Sequence, residues 1–154
     1  GFPILFRQKR FGKNNKNFWI YKFRTMKKNT PDVATHLLDS KVSNYISSGK
    51  FLRKYSLDEL PQLLNIFKGE MNFLGPRPAL YNQDDLINLR KKLGIIVLKP
   101  GLTGWAQIHG RDMISIKEKV NLDKYYLDNK SIYLDCKILT LTIKKVMFSD
   151  DILS

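Results

Sequence analysis

Pro61 interrupts an apolar run, residues 57–67, that would otherwise read as one continuous helix. Its ring lacks an N–H and pushes the preceding residue away from helical angles. The pattern therefore predicts a helix that begins at Pro61 with Leu60 as its cap. It continues through LPQLLNIFKGEM, with Leu60, Leu63, Leu64 and Phe67 on one face and Gly69 as the stop. Just before it stand Asp58 and Glu59, the latter one of only three glutamates in the chain. Ser56-x-x-Glu59 matches a helix capping box. Pro61 weakens that match, because as the fifth helical residue it would lose its bond to Leu57. The carboxylate pair then sits just outside a helix N-terminus, where free N–H groups and the helix dipole favour phosphate. Two adjacent carboxylates repel, and a divalent cation would relieve that repulsion. Capping and catalysis both remain open on the local pattern.

Elsewhere the chain mixes strand and helix signals. GFPILF reads as a short strand, or as the exit of an upstream element, and RQKRFGKNNKN as a basic loop. FWIYKFRTM nearly alternates apolar and basic residues and reads as a strand. Residues 27–50 are polar, with a short helix expected near 33–40. NFLGPRPAL carries two prolines and is expected to be an irregular loop. NQDDLINLRKKLG reads as a helix ending at Gly94, IIVLKPGLTGWAQIHGR as strand and turn, residues 115–130 as a helix, and LDCKILTLTIKKVMF as a final helix that is apolar over a broad arc. The expectation is an α+β fold: one helix-rich domain over residues 1–154 with a small strand component, associated with a membrane surface.

Charge narrows the partners. Residues 1–57 carry 13 basic and 2 acidic side chains, and residues 58–154 carry 14 and 12. Nearly all of the net +13 thus lies upstream of the Asp58–Glu59 pair. Such a field favours nucleic acid, anionic lipid headgroups or phosphorylated substrates, although a lysine-rich soluble surface has the same composition. A single cysteine, Cys136, forbids an internal disulfide and fits a reducing compartment. Two histidines with no nearby cysteine do not make a zinc site. No stretch reaches the ~18–20 apolar residues needed to span a bilayer. The chain opens at Gly1 rather than Met, within an apolar stretch, so a fragment or processed chain is expected.

Several basic motifs suit phosphate. Arg77 lies between Pro76 and Pro78, a guanidinium fork on a stiff loop. Lys22 and Arg24 share a face of the predicted strand, and the same YKFRTM segment has the aromatic-plus-basic pattern of single-strand nucleic-acid binders. KPGLTGWAQIHGR offers Gln107 and Arg111 on a glycine-rich segment. Each motif alone is also what a solvated turn or a polar strand face looks like.

In order, FRQKR, YKFRTM, FLRKYSLDELPQLLNIFKGEM, GPRP, KPGLTGWAQIHGR and LDKYYLDNKSIYLDCKIL resemble the bacterial sugar transferase family, the monotopic polyprenyl-phosphate phosphoglycosyl transferases. The likeness runs over nearly the whole chain. It implies transfer of a sugar 1-phosphate from a UDP-sugar to polyprenyl phosphate, with UMP released and a membrane glycan begun. It implies Asp58 as nucleophile and Mg²⁺ as cofactor, with Glu59 as metal ligand. An aspartate of ordinary pKa, about 3.9, is ionised at neutral pH and needs no base to attack phosphorus. Arg53, Arg77, Lys22 and Arg24 are the expected charge-stabilising residues, with Pro78, Gln107 and Arg111 also at the substrate. Family members carry an N-terminal hydrophobic helix that enters the cytoplasmic leaflet. Such a segment is expected upstream of Gly1, holding the enzyme at the cytoplasmic face of the bacterial inner membrane. His109 stands where many members have Asn, and ALYNQDDLINLRKKLG leans toward a subgroup using N-acetylated amino-deoxy sugars. The competing readings are a basic nucleic-acid-binding module, against which the Asp58–Glu59 pair argues by repulsion, and an inactive scaffold at the membrane.

Overall fold

A computed structural model describes residues 4–27, 30, 45–110 and 113–148. Strands β1 (Leu5–Phe11) and β2 (Asn17–Phe23) form an antiparallel hairpin in which Leu5 pairs with Phe23 and Phe11 with Asn17. Arg7–Phe11, expected as loop, is therefore strand. The reason lies across the ladder. Arg7 faces Tyr21 and Lys9 faces Trp19, and the Arg7 guanidinium lies 5.0 Å from the Trp19 ring centroid. Basic side chains that stack on aromatic faces suit a strand as well as they suit a loop. The hairpin turns through Asn14 and Asn15, both in the left-handed region that asparagine tolerates.

The helix expected near 33–40 lies outside the described residues. After it come α1 (Gly49–Lys54), a 3₁₀ turn (Leu57–Gln62) and α2 (Leu63–Phe67). The expected loop after Gly69 begins with a short strand, β3 (Asn72–Leu74), which pairs in parallel with β4 (Gly101–Thr103). Helix α3 (Asp84–Lys92) ends at Gly94 as the sequence predicts, with Gly94 at φ 72°. A 3₁₀ turn (Ile95–Val97) leads to β4, and Trp105–Ile108 forms a short helix, α4, where only strand and turn were expected. Helices α5 (Ile116–Asn129) and α6 (Ile132–Phe148) complete the fold. The mixed, helix-rich architecture agrees with the sequence reading. Among the described residues no helix is long and apolar enough to cross a membrane.

Three small apolar clusters organise the described chain. Ala79, Leu86, Ile87, Ile95 and Val120 join α3 to α5; Phe18, Ile20 and Met71 seat the hairpin against the end of α2; Tyr126, Leu134 and Ile138 join α5 to α6. The loop at residues 75–79 runs between the first two and is pinned from several sides. Pro78 O accepts from Arg10 Nη1 (3.0 Å), Ala79 O from Phe11 N (2.9 Å) and Arg77 O from Arg90 Nη1 (2.8 Å). Gly75 lets this loop lie directly on β4: a Cβ on Gly75 would come 2.4 Å from Lys99 O and 3.0 Å from Gly101 N. Arg90 is in turn fixed by Asp123 of α5, whose Oδ2 accepts from Nε at 2.9 Å and Nη2 at 2.6 Å. Both side chains are buried; burial pushes the Asp123 carboxyl up, with the Arg90 charge opposing.

Removing one partner of a buried pair strands the other charge. Asp123→Ala should therefore lower the unfolding free energy by about 3–5 kcal/mol, read from denaturant titration. A loss within experimental error would mean that Arg90 is solvated in solution.

Candidate active site

Ser56 sits at φ 54°, in the left-handed region, and its side chain caps nothing. The capping box that Ser56-x-x-Glu59 suggested is not formed. Instead the chain enters a tight turn with three residues per turn, and burial follows that period. Leu60 and Leu63 are exposed, while Asp58 and Glu59, then Pro61 and Gln62, point inward. This corrects the expected helix start. The helical turn begins at Leu57, so the carboxylates lie within it, and α-helical geometry starts only at Leu63, past the proline.

The inward face rests on β2. Asn65 of α2 is fully buried and bonded at every polar atom: Oδ1 accepts from Tyr21 N (3.2 Å), and Nδ2 donates to Trp19 O and to Glu70 Oε2 (both 2.7 Å). It closes on the free edge of the strand and fixes the turn beside Lys22. Glu59, 6% exposed, then accepts through Oε1 from Lys22 Nζ (2.9 Å) and from Arg77 Nη2 (3.2 Å) and Nη1 (3.3 Å). Asp58, 5% exposed, adds its charge to the field on Lys22, as does Arg10. The site thus holds two buried carboxylates among Lys22, Arg77 and Arg10.

The other predicted residues have contacts of their own. Arg24 follows the end of β2, with its guanidinium 5.8 Å from the ring centroid of Phe6, which pairs with Lys22 across the hairpin. Arg53 donates to Tyr45 Oη (3.0 Å) and lies over that ring. Pro78 supplies the carbonyl that holds Arg10. Gln107 closes the β4–α4 turn by donating to Leu102 O (3.0 Å). Arg111 lies outside the described residues.

Sequence reasoning missed Arg10, Gln62 and Asn65. Arg10 was hidden in a stretch read as loop. Gln62 and Asn65 lie on the polar side of an apolar run, and a period of three through the turn would have set them inward. Gln62 is 2% exposed, and its Nε2 finds no acceptor among the described residues. Such a buried donor costs about 1–3 kcal/mol.

The site suits anions. Two adjacent carboxylates with no third His, Cys, Asp or Glu beside them, among the described residues, also fit Mg²⁺, which binds through one or two carboxylates and completes its shell with water and substrate phosphate. Glu59 is the residue that would hold it, with Asp58 beside it.

Burial pushes the Lys22 ammonium down to about 8, against the pull of Glu59 and with Arg77 adding to the fall. The ordinary lysine value is 10.5. Between these two values the unfolded chain holds a proton that the folded site has lost. The cost of burying the charge is therefore full below about 8 and is relieved as pH rises through that window. Anion binding runs the other way. In metal-free protein, affinity for sulfate, which does not titrate here, should fall above about pH 8, by up to ~10-fold per unit. Lys22→Arg, charged throughout, should hold it level. Calorimetric titration from pH 6.5 to ~9.5 distinguishes these; parallel curves for the two proteins would refute the assignment.

Residues 1–149 match the profile of the family described as bacterial sugar transferase. The chain is 46% identical over 152 residues to the uncharacterized sugar transferase EpsL of Bacillus subtilis, covering 99% of this chain and 74% of that protein. It is 35% identical over 150 residues to the UDP-N-acetylgalactosamine-undecaprenyl-phosphate N-acetylgalactosaminephosphotransferase of Aeromonas hydrophila, covering 94% of this chain and 36% of the relative. It is 36% identical over 155 residues to the UDP-glucose:undecaprenyl-phosphate glucose-1-phosphate transferase of Xanthomonas campestris pv. campestris, covering 94% of this chain and 32% of the relative. The chain spans about a third of the length of these last two.

Proposed function

Since the chain belongs to the bacterial sugar transferase family, we propose that it transfers a sugar 1-phosphate from a UDP-sugar to polyprenyl phosphate, releasing UMP and beginning a membrane glycan. The Aeromonas and Xanthomonas relatives are named for one acceptor, undecaprenyl phosphate, and for different sugars. The acceptor is therefore assigned to this chain as a class, and the sugar is left open.

The observation that carries the reading is the Glu59 carboxylate held by Lys22 and Arg77 next to a buried Asp58. A carboxylate oxygen with two cations on it stands where a phosphate oxygen has the same needs. In the proposed reaction an Asp58 oxygen attacks the sugar-side phosphorus. The bond from that phosphorus to the oxygen of UMP breaks, and UMP leaves with the electron pair. An oxygen of the lipid phosphate then attacks the aspartyl phosphosugar, and Asp58 departs as a carboxylate. Lys22 and Arg77 hold the equatorial oxygens, where charge stabilisation contributes most to phosphoryl transfer. Mg²⁺, held at Glu59, would supply neutralisation of the diphosphate charge.

The membrane reading has its own support. The outward face of the turn and α2 exposes Leu60, Leu63, Leu64 and Phe67, the last at 94%, and α1 adds Phe51 and Tyr55. An apolar face beside a basic hairpin suits the cytoplasmic surface of an anionic bilayer, where the acceptor resides.

In the full-length protein, Asp58→Asn should lower UMP release from UDP-sugar and polyprenyl phosphate at least ~10³-fold. Mass spectrometry of wild-type protein quenched with donor alone should find a sugar phosphate on the peptide bearing Asp58. Full turnover in Asp58→Asn would sink the covalent route.

A further inference from the structure

Gln62 lies one 3₁₀ turn after Glu59, and three residues per turn bring the two onto the same inward face. With Arg10, Ile20, Lys22, Arg77 and Pro78 it lines a cleft closed so tightly that it has no room for a water. Every charged group in that wall is a cation. The acceptors nearby are already engaged: Glu59 Oε1 by Lys22 and Arg77, Pro78 O and Gln8 Oε1 by Arg10. Gln62 Nε2 thus remains a buried donor without an acceptor among the described residues. Buried donors in native folds are nearly always matched, so one left open asks which acceptor reaches it when Lys22 and Arg77 part to admit a ligand.

Resting on the transferase reading, we propose that Gln62 is a substrate-binding residue whose amide donates to a phosphate oxygen held by Lys22 and Arg77. A ligand in this cleft must accept from an amide and two cations at once. An acceptor-only oxyanion meets that demand, whereas a metal ion is repelled by it and a neutral carbonyl leaves the charges unmatched. An amide also suits the position better than a fourth cation. It gives a directed hydrogen bond without adding to the repulsion among Arg10, Lys22 and Arg77. Two phosphates pass through the reaction, the donor diphosphate and the lipid phosphate, and they share this chemistry.

The test uses Gln62→Met, of similar shape and without the donor, and Gln62→Glu, of equal size with an added negative charge, both in the full-length protein. Inorganic diphosphate is the binding probe, followed by calorimetry without turnover. Gln62→Met should weaken diphosphate binding about 10-fold, a single charge-assisted bond, and Gln62→Glu should weaken it further. The melting temperature of Gln62→Met should be unchanged or raised, since a buried unmatched donor is removed. A lowered melting temperature with unchanged diphosphate affinity would make Gln62 a packing residue and overturn the proposal, as would equal affinity in wild type and both variants, or no diphosphate binding by wild type. KM for UDP-sugar and KM for polyprenyl phosphate, measured separately, identify which phosphate uses the amide; neither KM moving also overturns it. Wild-type protein that binds diphosphate yet releases no UMP would instead defeat the transferase reading.

Discussion

The clamp of Asn65 on β2 is the contact on which the site depends. A five-residue helix has no stability of its own, because the cost of nucleation is spread over too few bonds. Held by Trp19 O and Tyr21 N, α2 becomes an extension of the strand edge, and the turn before it inherits that anchorage. Lys22 is the next residue along the strand. The register that satisfies Asn65 is therefore the register that sets the Lys22 ammonium against Glu59. Arg77 arrives from the opposite side on a loop whose backbone is fixed by Arg10, Arg90 and the glycine contact with β4. Two independently braced elements meet at one carboxylate oxygen.

That meeting explains how a chain of net +13 tolerates buried charge. A lone buried carboxylate would be expelled or protonated, and a lone buried lysine would lose its proton. Here each limits the other's cost. The balance leans against the cations, as the depressed Lys22 shows. A site so arranged gains when a doubly charged anion enters and Glu59 no longer has to serve two cations alone.

Much of this was legible in the sequence, and the failures have physical causes. The strand at FWIYKF, the helix ending at Gly94 and the two C-terminal helices follow their patterns. The chain contains Ser-x-x-Glu twice at helix starts. At Ser115 both bonds of the capping box form with Glu118; at Ser56 neither does. The difference is the backbone: Ser115 is extended, at φ −60° and ψ 157°, whereas Ser56 is left-handed. A pattern of residue types does not encode that angle. Pro61 did signal that something other than plain capping was intended, and it marks where α geometry can begin. The misread β1 has a different cause, since its basic residues are stabilised by partners across the hairpin that no local window contains. Lys22, Arg77, Asp58 and Glu59 stood out in the sequence as charged groups, and the fold brings them together, while Gln62 and Asn65 needed the three-residue period to be seen as inward.

That period has a bearing on how this segment tolerates change. Exposed leucines and buried Asp58, Glu59, Pro61 and Gln62 alternate around one short axis, so the outward face tolerates apolar exchange, but neither face tolerates a change of length. One residue inserted between Ser56 and Asn65 rotates everything beyond it by about 120°. A leucine would then face Lys22 and a carboxylate would face outward. The ten residues from Ser56 to Asn65 form a phase-locked cam, whose spacing decides which side chains meet Lys22.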